Sequence, residues 1–246
     1  MTAIYIDIEH KAFPAQGKTP AQTIIQNFSC NLANQQLTCV VGPSGCGKST
    51  LLNIIAGLDT DFRGQVTRSE YPLTPTISYV FQNPRLLPWK TVRENIELVL
   101  PPEHDPEPID ILLQTMGLLE AQNAYPQRLS LGMSRRVALA RAFAFQADLL
   151  LMDEPFVSLD PATARRTRAL LSSLRQQRPH TILFVTHDLR EAIELADRLL
   201  FLSPSPTGII QDVAVTLPFN QRQHADAVED YRKQLLANDP TMQALQ

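Results

Sequence analysis

The stretch Gly42-Pro43-Ser44-Gly45-Cys46-Gly47-Lys48-Ser49-Thr50 has the residue types and spacing of a polyphosphate cradle, G-x-x-x-x-G-K-[ST]. Its glycines let the main chain approach phosphate oxygens, so that backbone N–H groups can wrap them. Lys48 would reach the outer phosphates, and the Ser49 hydroxyl would bind Mg²⁺. A second group of residues suits the same chemistry. Leu149-Leu150-Leu151-Met152-Asp153-Glu154 is an apolar run that delivers two adjacent carboxylates at its end. Asp153 would hold Mg²⁺ through a water, opposite Ser49. Glu154 would polarise the water that attacks a terminal phosphate, a general-base role worth about 10²–10⁴ in rate. Together these groups could hydrolyse a nucleoside triphosphate. At the average Gly usage of proteins, about 7% of residues, a chance match to the loop pattern in a chain this long has odds of roughly one in a hundred. An Asp-Glu pair after an apolar run is by itself commonly a solvated strand end, and gains meaning from the loop upstream.

These groups need particular elements to place them. Leu37 to Val41 reads as a short buried strand, and Ser49 to Ala56 as an apolar helix closed by Gly57, which puts phosphates at a helix N-terminus. Leu149 to Met152 reads as a buried strand whose carboxyl end faces the ligand edge of an open α/β sheet. Around these, Ile4, Ile6 and Ile8 alternate with polar neighbours as in a half-buried strand. Further β segments are expected at about Thr23–Leu32, Gly64–Thr67, Thr76–Phe81 and Thr181–Thr186. A late hairpin is expected from Leu199–Leu202 and Ile209–Leu217, across Ser203–Gly208. The early strands imply an antiparallel layer. From Asn83 to Ala121 prolines punctuate helical pieces, the clearest with Ile109, Leu112, Leu113 and Met116 on one face. Further helices are expected from about Met133 to Phe145, from Pro161 onward, and over Leu189–Ala196. The polar tail from Pro218 is expected to hold a surface helix near Tyr231–Leu236.

The chain has 246 residues, 44% hydrophobic, enough for one domain of ordinary to large size with a sizeable core. A net charge of −3 and a pI near 6.0 argue against binding nucleic acid or anionic lipid through bulk charge. Cys30, Cys39 and Cys46 form no metal or disulfide pattern, which fits a reduced, cytosolic setting. Met1 to Glu9 lacks the pattern of a signal peptide, and no run approaches a membrane span, so a membrane role must come through a partner.

With the loop and the Asp-Glu strand end, four further motifs in order make the chain resemble the ATP-binding cassette (ABC) ATPases over nearly its whole length. Gln82 after Ile77–Phe81 matches the Q-loop, and Leu129-Ser130-Leu131-Gly132-Met133 stands where the LSGGQ signature belongs. Val157-Ser158-Leu159-Asp160 matches the D-loop, and Thr186-His187-Asp188 the H-loop. The resemblance implies an α/β P-loop NTPase core with an antiparallel β layer and an inserted helical subdomain. It implies an ABC ATPase domain over residues 1–217, with the helical part at about 83–140, and a helical tail over 218–246. ATP and Mg²⁺ are the implied cofactors, with Glu154, His187, Lys48 and Gln82 catalytic and Ser49, Gln82 and Asp153 at the metal. The implied nucleotide contacts are Phe13, stacked on adenine, the loop residues Gly42 to Thr50, Gln82, Ser130, Gly132 and Asp160. Tyr5 competes with Phe13 as the adenine-stacking aromatic. A head-to-tail dimer of cassettes is implied, in which Ser130 and the Gly132 amide of one subunit bind the γ-phosphate held by the other.

One position departs from the motif: Leu131 replaces the first Gly of LSGGQ. If it is ordinary helical backbone, Leu is tolerated; if it needs positive φ or close approach, Leu costs on the order of 1–2 kcal/mol. The Arg135, Arg136, Arg141 cluster reads as a helix face that positions the signature, or as a solvated face, rather than a nucleic-acid patch. The segment from Phe81 to Asn95, with Leu86-Leu87-Pro88-Trp89, resembles the importer branch for nitrate, sulfonates and taurine. There it would offer an apolar groove to a membrane permease, unless Trp89 packs inside the helical subdomain. The implied protein is the ATPase subunit of an importer at the cytoplasmic face of the inner membrane, served indirectly by a solute-binding protein. The alternatives are a soluble, non-transport cassette ATPase and a nucleotide-binding module with weakened hydrolysis.

Overall fold

Ile4, Ile6 and Ile8 are buried and Tyr5, Asp7 and Glu9 exposed in the computed structural model, which describes residues 3–15, 17, 20–69, 74–103 and 105–238. That alternation runs through strand β1 (Ile4–Phe13), followed by β2 (Gln22–Leu32), β3 (Leu37–Val41), helix α1 (Lys48–Ile55) and β4 (Arg63–Arg68). Next come β5 (Ile77–Val80), α2 (Val92–Glu97), α3 (Glu107–Thr115), α4 (Leu131–Ala144), β6 (Leu149–Asp153) and α5 (Pro161–Gln177). The chain continues through β7 (Ile182–Thr186), α6 (Leu189–Leu195), β8 (Arg198–Leu202), β9 (Ile209–Ala214) and α7 (Ala225–Asn238). The end of the expected tail, residues 239–246, lies outside the described residues. The architecture is the α/β core with an antiparallel layer that the sequence implies. It falls into two units, one within Met1–Pro75 and Thr181–Gln246, the other Thr76–His180.

In the first unit β1 pairs antiparallel with β2 and with β4. A second set runs β7-β3-β8-β9, with β3 parallel to β7 and β8, and β8–β9 forming the late hairpin. Every residue of β3 and β7 is buried, as a parallel strand covered on both faces requires. The register sets Val41 beside Thr186 and Phe201, so the segments after β3 and β7 leave from one edge. Buried Arg222 secures the chain leading to α7 by donating to the carbonyls of Leu217, Ala196 and Val215 at 2.9, 2.6 and 3.3 Å.

In the second unit β5 and β6 are parallel, with Val80 beside Met152. Helices α2 and α3 pack on α4. Their fully buried apolar side chains include Val92, Ile96, Ile109, Leu112, Leu113, Val137 and Phe143. A fully buried polar residue, Asn95 of α2, lies beside them. The Asn95 amide donates to the carbonyls of Leu87, Lys90 and Thr91 and accepts from the Leu87 N–H at 2.8 Å. Its amide N–H and carbonyl groups are both used, so a buried amide here holds the Leu87–Thr91 loop rather than weakening the core.

Candidate nucleotide site

Strand β3 ends at Val41 and the loop turns back on itself before α1. Gly47 caps the helix in the left-handed region, φ 104°, where a Cβ would come within 2.7 Å of Ile24 Cγ2 and 3.1 Å of Thr207 Oγ1. Glycine is therefore demanded twice, by backbone and by space. Thr207, fully buried in the β8–β9 turn, donates its hydroxyl to the Cys46 carbonyl and braces the loop from behind. The Cys46 side chain faces inward, and burial pushes its thiol up, against the opposing pull of Lys48. Ser44, Gly45 and Ser49 are exposed.

Lys48 is 6% exposed, and its ammonium donates to the carbonyls of Gly42 and Pro43 at 2.8 and 2.9 Å. No side chain caps the N-terminus of α1, which leaves its first-turn N–H groups directed at whatever the loop encloses. A buried cation, an uncapped helix dipole and an exposed Ser49 hydroxyl form a donor set that fits a polyphosphate. The same unit brings His187 to this edge, directly after β7. Its turn is locked locally: the Asp188 N–H donates to Thr186 Oγ1 at 3.1 Å, Thr186 donates to Glu191 at 2.9 Å, and Asp188 caps α6. Phe13 ends β1 with its ring 46% exposed and the Lys11 ammonium 5.0 Å from its centroid. Buried Lys11 also holds Asp59 and the Asp61 carbonyl at 2.8 and 2.7 Å.

The second unit brings Gln82, Asp153 and Glu154 to the ends of two neighbouring parallel strands. Asp153 is buried at the close of β6, and Gln82 is exposed. The Asp153 carboxylate is a hard oxygen donor, of the kind that suits Mg²⁺. Tyr79 stacks on Phe81, rings 4.0 Å apart, and the Arg85 guanidinium covers Phe81 at 3.8 Å. Glu154 has φ 43°, a left-handed conformation for a residue that precedes a proline.

Ser130 caps α4, its hydroxyl accepting from the Met133 N–H at 3.2 Å. The helix thus begins two residues earlier than the expected Met133, and Leu131 is its first residue, 44% exposed. Leu131 is ordinary helical backbone with its side chain outward, so the cost of a positive φ or a close approach does not arise. Gly132 is the position without room: a Cβ there would meet Thr163 Cγ2 at 2.6 Å. Asp160 caps α5 by accepting from the Thr163 N–H at 3.0 Å, and the Thr163 hydroxyl first, then this N–H, hold its carboxyl below the usual range. Trp89 is 69% exposed rather than packed inside.

The three arginines of α4 are neither a solvated face nor a basic patch. Arg135 donates to the carbonyls of Glu154 and Pro155, Arg136 to Met116 and Gly117, and Arg141 to Arg85 and Pro84. Each pair of carbonyls includes a left-handed residue: Glu154 at φ 43°, Gly117 at 61° and Arg85 at 48°. A non-glycine residue in that region costs about 1–2 kcal/mol, which charge-assisted hydrogen bonds of about 1.5–3 kcal/mol can offset. Sequence patterns do not reveal these pairings, nor the roles of Thr207 and Lys11, because the contacts are made only by the fold. Asn95 does leave a signal, a polar residue in phase with Val92 and Ile96.

A family model described as ABC transporter matches residues 25–157. Curated relatives include the aliphatic sulfonates import ATP-binding protein SsuB 2 of Burkholderia lata, 42% identical over 84% of this chain and 78% of its own length. SsuB of Bacillus licheniformis is 37% identical over 95% of this chain and 93% of its own. Among solved structures, a dimeric post-hydrolysis state of the ATP-binding cassette MJ0796 bound to ADP and Pi is similar with TM-score 0.73. It is 27% identical and covers 86% of this chain and 98% of that one.

Proposed function

This chain belongs to the ABC transporter family, and we propose that it is the ATP-hydrolysing subunit of an importer that carries aliphatic sulfonates or similar small organic anions. The observation that carries the nucleotide reading is the buried Lys48 ammonium inside its loop, ahead of a helix N-terminus that no side chain caps. The solute class rests on the sulfonate importers among its relatives.

In this reading Phe13 stacks on adenine, while Lys48 and the loop N–H groups of Gly42 to Thr50 neutralise the phosphates. Ser49, Asp153 and Gln82 would hold Mg²⁺, which would supply charge neutralisation at the phosphates. Glu154 takes the proton of the attacking water. The water oxygen bonds the γ-phosphorus as the bond to the bridging oxygen breaks, and the electron pair leaves with ADP. His187 hydrogen-bonds the γ-phosphate. Ser130, Gly132 and Asp160 act on the nucleotide of a second copy, so that ATP joins two cassettes. The domain spans residues 1–217, with helical residues at about 83–140 and a tail over 218–246. Trp89 with Leu86 and Leu87 receives a helix of a membrane permease, which places the subunit peripherally at the cytoplasmic face of the inner membrane. A solute-binding protein serves the complex indirectly.

Phosphate release from MgATP by the purified protein tests the catalytic assignment. Glu154→Gln should lower turnover by about 10²–10⁴ with ATP binding retained, and unchanged turnover would remove Glu154 from its role. Deletion of the gene should abolish growth on an alkanesulfonate as sole sulfur source while growth on sulfate persists; equal growth on both would remove the solute class.

A further inference from the structure

Glu154 stands in a backbone conformation that its surroundings oppose. Its own Cβ disfavours φ 43°, and the ring of Pro155 disfavours any but an extended conformation in the residue before it. Such a residue persists only where neighbours over-determine it. Two donors converge on its carbonyl: the Val157 N–H at 3.2 Å, from the turn itself, and Arg135 Nη1 at 3.2 Å, from α4. The same guanidinium nitrogen also takes the Pro155 carbonyl. Arg135 is 6% exposed, so its bonds to these carbonyls form in a low-dielectric setting where such bonds are strong.

We propose that Arg135 is a positioning residue for the general base: from the signature helix it holds the Glu154–Pro155 peptide in the left-handed turn and so aims the Glu154 carboxylate. This rests on the reading of Glu154 as base. With the clamp lost, Glu154 relaxes toward the extended conformation that Pro155 favours, its Cβ direction swings, and the carboxylate leaves the attacking water. The phosphate loop is untouched by that change, so ATP binding persists while the chemical step slows. Helix α4, capped by Ser130, thereby also sets the geometry of the base in its own chain.

The test is a double-mutant cycle on the full chain, reading kcat and KM for MgATP, with melting temperatures to confirm folding. Arg135→Met should lower kcat about tenfold to a hundredfold, the range a displaced catalytic group produces, with KM within about twofold. Arg135→Lys keeps the charge and should recover part of the loss. Arg136→Met, which releases the Met116–Gly117 turn instead, should keep kcat within about twofold. In the Glu154→Gln background Arg135→Met should add no further loss, because both act through one carboxylate. A full kcat in Arg135→Met beside a crippled Glu154→Gln, or losses that multiply in the double variant, would overturn the positioning role. A Glu154→Gln protein as fast as wild type would instead remove the base assignment beneath it. Should Arg135→Met not fold, Arg135→Lys reads the same cycle: a lowered kcat at constant KM supports the role, and wild-type kcat overturns it.

Discussion

At the scale of single residues, space decides which positions of the signature matter. Leu131 opens α4 with its side chain outward, whereas Gly132 lies against Thr163. Leu131→Gly should therefore shift stability by no more than about 1 kcal/mol and leave ATP turnover unchanged. Gly132→Ala should cost about 1–3 kcal/mol, since the added methyl must push α5 away or distort α4. Urea unfolding of both variants checks the pair, and a larger loss in Leu131→Gly than in Gly132→Ala would reverse the assignment. Motif spacing makes the phosphate loop, the Asp-Glu strand end and His187 legible in the amino-acid sequence. It does not make Thr207 or Lys11 legible, because both reach their partners through the fold: Thr207 braces Cys46 from 161 positions away, and Lys11 reaches Asp59 from 48.

At the scale of elements, strands and helices are readable from alternation and caps, and boundaries move where a cap intervenes. Ser130 draws the start of α4 back to Leu131 because its hydroxyl takes the Met133 N–H. The role of Asn95 illustrates what patterning leaves out. Its position marks it as buried, but the four hydrogen bonds that tie it to the Leu87–Thr91 loop depend on tertiary geometry. Asn95→Ala strands several buried backbone groups and should destabilise the protein by about 1–3 kcal/mol or more, measurable by urea unfolding. Helix α7 is tied to α6 through Glu229, which accepts from Arg190 and Arg232 at 2.8 Å each. The two guanidinium groups, Arg232 foremost, hold the Glu229 carboxyl down to about 2. A depressed carboxyl stabilises the folded state fully above the ordinary glutamate range and loses that contribution as pH falls toward its folded value. Melting temperature should accordingly fall less steeply between about pH 5 and about pH 3 in Glu229→Gln than in wild type. Parallel curves would mean that the contact adds nothing.

At the scale of the whole molecule, no described helix is long and apolar enough to cross a membrane. The proposed permease contact is at Trp89, on the loop before α2. Trp89 is the only tryptophan of the chain and is 69% exposed, so its emission should be red-shifted and quenched by iodide in the isolated protein. Mixing with the permease in detergent should shift that emission to the blue and protect it. Emission unaltered by the bound permease would place the contact elsewhere.

In the proposed mechanism, ATP joins the cassette to a second copy through a signature that carries Leu131. Light scattering of the Glu154→Gln protein, with and without MgATP, tests it most directly. The predicted result is the 27.5 kDa monomer alone or with ADP and twice that mass with ATP. Lys48→Ala added to the same protein should keep it monomeric. A Glu154→Gln protein that binds ATP and yet stays at 27.5 kDa would rule out ATP as the bond between two cassettes.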